Sequence, residues 1–260
     1  MNNTREHLLQ LSLLIGPLAI ISALFAGTLG YGGGFLMAQA WSTTLPPLFW
    51  ECITVLGDER VLFALFLPFA IRYPRVFFAI LLSAALAGLL SRGIKLWAAL
   101  PRPASVLPAE LITIIGPRVT RHALPSGHTA SLFAFVGVLI GLSGCRRYRV
   151  TLLLLAVLAG FSRVAVGAHW PLDVMVGALV GLAAAWLALL LQQHCRWQVG
   201  RRQKVMLVTV VVISTLTLPL DGQGYDASLP IRLAIFSWAL GGLWLATRQR
   251  QSDTIQPAVA

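Results

Sequence analysis

Three short segments of this 260-residue chain carry residue types that could act on an anion. The first runs from Lys95 through Pro101-Arg102-Pro103. Its prolines end a helix, since proline lacks an N–H and disfavours helix at the residue before it, so two cations are held at a helix end and a stiff turn. The second is Pro125-Ser126-Gly127-His128, at the head of an apolar run. Serine is a favoured N-cap, glycine lets a ligand approach the backbone, and amides at a helix N-terminus attract anions. The third, Ser162-Arg163 through His169 and Pro171 to Asp173, bridges two apolar runs. Pro171 suits the first helical position. Asp173, four residues after His169, can reach back to one imidazole nitrogen, fix the tautomer and leave the other nitrogen free as a nucleophile.

Each segment alone fits a plainer role: cations snorkelling to lipid headgroups, a simple helix cap, a charged pair at a helix start. Together they gather Lys95, Arg102, Arg163, His128, His169 and Asp173 at helix ends predicted to lie on one side of a membrane, where ionisable groups are costly and usually functional. The set suits phosphoryl transfer, whose transition state spreads charge over equatorial oxygens and is stabilised by fixed positive charge. One histidine would form a covalent intermediate, and the other would protonate the leaving oxygen and later activate water. Acidic residues are few and scattered, so no metal cage is expected and no cofactor is implied.

The elements that must position these residues are membrane spans. Hydrophobic residues make up 57% of the chain and charged residues 11%, against about 25% charged in soluble domains. Mean hydropathy is +0.79. Apolar runs of about 20 residues are expected to cross as helices, near 8–30, 57–72, 76–94, 127–144, 150–167, 172–193, 205–220 and 230–247. The second is the weakest, and the stretch before it, 45–56, suits the membrane surface. The first run exceeds a signal-peptide core and no A-x-A site follows, so it reads as a retained span. The net charge of +11 is dispersed between spans, a layout that argues against a nucleic-acid binder. With the N-terminus inside, twelve Lys and Arg fall inside and eight outside. Six of those eight, Arg92, Lys95, Arg102, Arg118, Arg121 and Arg163, belong to the candidate site and its flanks, leaving only Arg60 and Arg232 against the positive-inside rule.

K-x6-R-P, P-S-G-H and S-R-x5-H-x3-D match in order and spacing the three-part signature of the type 2 phosphatidic acid phosphatase superfamily, which this chain resembles across roughly residues 50 to 193. The resemblance implies His169 as the nucleophile, Asp173 as its orienting carboxylate and His128 as the general acid, with Lys95, Arg102, Ser126, Gly127 and Arg163 holding the phosphate. It implies an all-α, polytopic transmembrane bundle with a six-span core over 1–193. The apolar runs beyond the resemblance add a two-span hairpin over 194–247, and the short polar tail, 248–260, has no apolar periodicity and is expected to lack regular structure. The expected activity is metal-independent hydrolysis of a membrane lipid phosphate. Undecaprenyl diphosphate is the first candidate, then phosphatidylglycerol phosphate, phosphatidic acid and lipid A phosphate. A phosphotransferase using the same site and a non-catalytic anionic-lipid transporter are the alternatives. The expected location is a bacterial inner membrane, with both termini cytoplasmic and the site facing the exterior. The sequence leaves the oligomeric state open.

Several residues are read without a catalytic role or with a minor one. Arg118, Arg121 and His122 precede the second segment and are candidate contacts for a second phosphate or a headgroup. Cys52, Cys145 and Cys195 show no CxxC spacing and read as isolated thiols. His7 and His194 read as interfacial. Tyr31 with Gly32 to Gly34 reads as a flexible outer loop, and Trp97 and Trp170 as edges of a lipid entrance. Gly137 with Gly141, and Gly177 with Gly181, fit small-xxx-small helix packing.

Overall fold

The apolar runs form helices, which satisfy their own backbone groups without water. A computed structural model describes residues 2–194 and 200–255, and every regular element among them is helical. In order these are α1 (Asn2–Leu29), α2 (Phe35–Ser42), α3 (Pro47–Val55), α4 (Glu59–Phe66), α5 (Pro74–Ala98), α6 (Pro103–Val106), α7 (Gly127–Leu142), α8 (Arg146–Ala165), α9 (Pro171–His194), α10 (Arg201–Leu216) and α11 (Leu229–Ile255). Short 3-10 turns follow α4 (Leu67–Phe69), α6 (Ala109–Leu111) and α10 (Asp226–Ser228). Cys195, Arg196 and the last five residues of the expected tail lie outside the described residues.

Five stretches are long and apolar enough to cross a membrane: Glu6–Leu29, Pro74–Val106, Arg146–Ala165, Pro171–His194 and Asp226–Gln249. The 16-residue α7 is a shorter apolar helix. The expected span at 57–72 is not one helix. Its α4 has 8 residues and the following 3-10 turn 3, a rise of about 18 Å against a hydrocarbon core of about 30 Å. Pro68 interrupts it by removing a backbone donor, and Pro74 starts the next helix, α5. The segment still runs the length of the bundle, since Gly57 packs on His128 at one end and the Arg75 carbonyl accepts a hydrogen bond from Gln192, near the end of α9, at the other (2.8 Å). The seventh expected span is the 16-residue α10, which begins with Arg201 and Arg202. The described part of the expected irregular tail continues α11 to Ile255.

The centre of the bundle is the α7–α9 pair. A Cβ on Gly137 would stand 2.7 Å from Ala185 Cβ, and one on Gly141 2.8 Å from Leu189 Cδ1. Gly177 and Gly181 in turn take up the backbone of Ser126 and Ala130. Such close approach supplies the packing that drives helix association in lipid, where there is no water to exclude. The α1 and α5 helices flank this pair through Leu11, Ala79 and Ile80. The α10–α11 hairpin packs on α4 instead, through Val211, Ile235 and Ala239 against Val61, Ala64 and Leu67. Gly242 of α11 lies directly over the ring of Pro68.

Candidate active site

The site forms where the ends of α5, α7, α8 and α9 meet. Helix α5 runs past the expected end at 94 and stops at Ala99, which takes a left-handed conformation (φ 44°) and donates its N–H to the Lys95 carbonyl (3.1 Å). Lys95 is thereby in the last turn, and its ammonium donates to the His122 carbonyl (3.2 Å). Arg102 follows in the turn and is 9% exposed. Its Nε donates to the Arg121 carbonyl (2.9 Å) and its Nη1 to the Ala168 carbonyl (3.1 Å), which ties the first segment to the third.

Ser126 caps α7, its Oγ accepting from the Thr129 N–H (3.4 Å) and the Thr129 hydroxyl (2.9 Å). Its own N–H donates to the Asp173 carbonyl (2.9 Å), so the second segment is bonded to the third through backbone. Gly127 and His128 occupy the first turn of α7.

Arg163 lies in the last turn of α8 and is 5% exposed. Its carbonyl accepts the N–H groups of Ala168 and His169 (both 3.1 Å), which folds the 166–170 loop back over the helix end. Gly167 makes this turn at φ +75°, with Thr113 O where a side chain would start. The Arg163 Nη1 donates to Thr54 Oγ1 (2.6 Å) and to the Tyr225 hydroxyl (2.9 Å). Its Nε is buried without a partner among the described residues, an uncompensated donor that an anion's oxygen would satisfy.

His169 is 2% exposed, with its Nδ1 3.3 Å from Asp173 Oδ2. That oxygen also accepts the Trp170 N–H (2.9 Å), and the Tyr31 hydroxyl donates to the other oxygen, Oδ1. Burial, then Arg102 and Arg163, hold the His169 pKa well below its ordinary value, so the ring is neutral at pH 7. Burial and the neighbouring Asp173 hold the Tyr31 hydroxyl far above the usual phenol range, so it remains a donor. Trp170 locks the loop by donating Nε1–H to the Pro101 carbonyl (2.9 Å).

His128, Lys95 and Arg92 line a cavity of about 320 Å³ with Asp58, Glu59 and Gln223. Gly88 also lines it and lies seven residues before Lys95, about 10 Å along the helix, so the cavity continues from the polar site into the apolar length of the bundle. Arg121 and His122 line a separate cavity of about 510 Å³ on the neighbouring loop, and Arg118 donates to the Ala104 carbonyl (2.8 Å). The structure thus gathers the eight residues of the three segments and sets the Arg118, Arg121 and His122 group to one side. Among the described residues no three His, Cys, Asp or Glu side chains are grouped as a metal would require.

Four contacts escaped the sequence reading. Tyr31 belongs to a packed corner, its ring 6.1 Å from Trp170, rather than to a free loop. Thr54 comes from the expected surface stretch. Gln39 bonds the carbonyls of Thr113, Val164 and Ala165 and supports the 166–170 turn. Tyr225, 3% exposed, arrives from the loop between α10 and α11. None has a motif spacing, and Tyr225 stands in a polar loop and Tyr31 among glycines, so no local signal marked them.

The sequence profile of the PAP2 superfamily matches residues 75–197. The undecaprenyl-diphosphatase of Sulfolobus acidocaldarius is 36% identical over 77 residues, 30% of this chain and 35% of that protein. The lipid A 1-phosphatase of Rhizobium johnstonii is 41% identical over 69 residues, 26% of each chain. The chain thus spans about a third or less of the length of these two relatives. Phosphatidylglycerophosphatase B of Escherichia coli K12 is 29% identical over 223 residues, 68% of this chain and 85% of that one. The crystal structure of Aquifex aeolicus LpxE superposes with a TM-score of 0.54 at 28% identity, covering 60% of this chain and 92% of that one.

Proposed function

Because this chain carries a PAP2 superfamily domain, we propose that it is an integral membrane phosphatase that hydrolyses a lipid phosphate or diphosphate without a metal. The observation that carries the reading is the buried pair of His169 and Asp173 beside Arg102, Arg163 and Lys95. The names of three relatives, which cite undecaprenyl diphosphate, phosphatidylglycerophosphate and lipid A, support a lipid substrate.

In this mechanism the phosphate sits against Arg163 Nε, Arg102, Lys95 and the first-turn amides of α7. The His169 Nδ1–H donates to Asp173, so Nε2 presents its lone pair to phosphorus. A P–N bond forms as the P–O bond to the lipid breaks, and protonated His128 gives its proton to the departing oxygen. His128 then takes a proton from water, whose oxygen attacks phosphorus, and the P–N bond breaks to release inorganic phosphate. The lipid's chain lies along the cavity toward Gly88. The site faces the exterior of a bacterial inner membrane, with both termini in the cytoplasm.

The test is phosphate release by detergent-purified protein from a panel of lipids, with EDTA present and His169→Ala beside it. Undecaprenyl diphosphate and phosphatidylglycerol phosphate head the panel, with phosphatidic acid and lipid A phosphate included. Release in EDTA that disappears in the variant is expected, and the best substrate assigns the headgroup. Phosphate passed only to an added lipid acceptor would make the protein a phosphotransferase. Equal release by His169→Ala would end the phosphohistidine mechanism.

A further inference from the structure

Between α1 and α8 the surface of the bundle carries two cavities with shared walls. The first, about 270 Å³, lies at the end opposite the candidate site and is lined by Gln10, Arg146 and Arg149. The second, about 440 Å³, is walled by apolar side chains, among them Leu18 and Ile21 on α1 and Val157 and Val164 on α8. Leu13, Leu14 and Leu153 line both, so the two form one groove, floored by Phe133, Ala178 and Leu182. Along α8 from Arg149 to Val164 the rise is about 22 Å, longer than one leaflet of a core about 30 Å thick.

The chemistry of the groove changes once along its length, from two guanidinium groups to hydrocarbon. Among the described residues neither the Arg146 nor the Arg149 guanidinium makes a hydrogen bond or an ion pair. Gln10 Oε1 is buried without a partner, and so is His7 Nδ1, three positions earlier and on the same face of α1. A buried acceptor left unpaired costs free energy, and a ligand with a donor beside its anion would remove that cost. We propose that this groove binds one anionic phospholipid. Its phosphate lies on Arg146 and Arg149, bonded by guanidinium forks and by the first turn of α8. A headgroup hydroxyl donates to Gln10, and the acyl chains follow the apolar wall. A zwitterionic lipid fits the hydrocarbon part but gains less at the arginines. The headgroup end of the groove lies at the end of the bundle opposite the catalytic site, and the proposal does not depend on the phosphatase reading.

The test uses the full-length chain in detergent and compares its thermal unfolding with phosphatidylglycerol and with phosphatidylcholine of the same chains. A ligand that binds only the folded state raises Tm. Phosphatidylglycerol is expected to raise it by several degrees more, and Arg146→Gln with Arg149→Gln is expected to remove the difference. Arg202→Gln with Lys204→Gln, exposed cations at the start of α10, is expected to keep it. Val157→Trp, which fills the groove, is expected to reduce it. Equal Tm with both lipids overturns the proposal. So does an equal loss in the α10 variant, which would mean general surface charge. A Val157→Trp effect that appears only as a change in particle mass also overturns it, by making the groove a contact between copies. Native mass spectra of the unaltered chain in an equimolar lipid mixture give a second reading: retention of one phosphatidylglycerol is expected, and equal retention of both lipids counts against the site. Helical circular dichroism and gel-filtration elution of each variant, measured in parallel, report an intact fold separately.

Discussion

At the scale of single residues, the unusual feature is how fully Asp173 is occupied. One oxygen accepts from the Trp170 amide and lies 3.3 Å from His169 Nδ1, and the other accepts from Tyr31. Tyr31→Phe keeps the ring against Trp170 and removes one hydrogen bond to a buried carboxylate, worth about 1.5–3 kcal/mol. We expect kcat to fall roughly 10- to 100-fold with KM little changed; an unaltered kcat would show that Tyr31 does not orient the carboxylate. His169 adds a pH prediction. A histidine whose pKa is lowered stays neutral further into acid, and protonation there removes the nucleophile. The acid limb of kcat/KM should therefore fall below about 6.5, the ordinary histidine value. In the complex the negative charge of the bound phosphate favours a protonated His128, so an alkaline limb belongs to kcat and should vanish in His128→Ala. A pH–rate profile from 4.5 to 9 measures both, and an acid limb above the ordinary value would contradict a buried, neutral His169. Tyr225→Phe leaves Arg163 with Thr54 as its partner, so substrate binding should weaken several-fold, read as a raised KM.

At the scale of elements, helix ends do the positioning and glycines set the spacing. The left-handed Ala99 ends α5 one turn after Lys95, and the Ser126 cap starts α7 two residues before His128. The α7–α9 contact brings Ser126 and Asp173 within backbone hydrogen-bond range, so that spacing reaches the site directly. Gly137→Val would force a Cβ to 2.7 Å from Ala185, and overpacking of this kind costs about 1–3 kcal/mol. A lowered Tm in detergent is expected, partly restored by Ala185→Gly; an unchanged Tm would mean the helices are free to separate. The two outside cations left over by the charge count also find their place here. Arg60 forms ion pairs with Asp58 and Asp221 and bonds Thr217, and Arg232 donates to the Leu218 carbonyl and Ser228. Both hold the loop that delivers Tyr225.

At the scale of the whole molecule, the α10–α11 hairpin is part of the site. The loop between its helices carries Tyr225 to Arg163 and Gln223 to the cavity of His128, although the three motifs end at Asp173. The proposed orientation has its own test, because exposed Cys145 lies at the end opposite the site. In intact cells an impermeant thiol reagent should leave Cys145 unlabelled and label Trp97→Cys made in a cysteine-free background. Labelling in the reverse order would invert the topology. The helical class, most of the spans and the eight residues of the site were legible in the sequence, because apolar run length, proline placement and motif spacing are local properties of the chain. The broken passage at 57–72 was partly legible, since it was the weakest of the expected spans, but the packing of Gly242 upon Pro68 was not. Tyr31, Gln39, Thr54 and Tyr225 were not legible, because each acts on a partner far away in the chain: 142 positions for Tyr31 and Asp173, 62 for Tyr225 and Arg163. The sequence alone singled out the residues proposed to carry the chemistry. The tertiary structure decided which neighbours hold them, because a buried donor or acceptor takes whichever partner the packing of distant helices brings within about 3 Å.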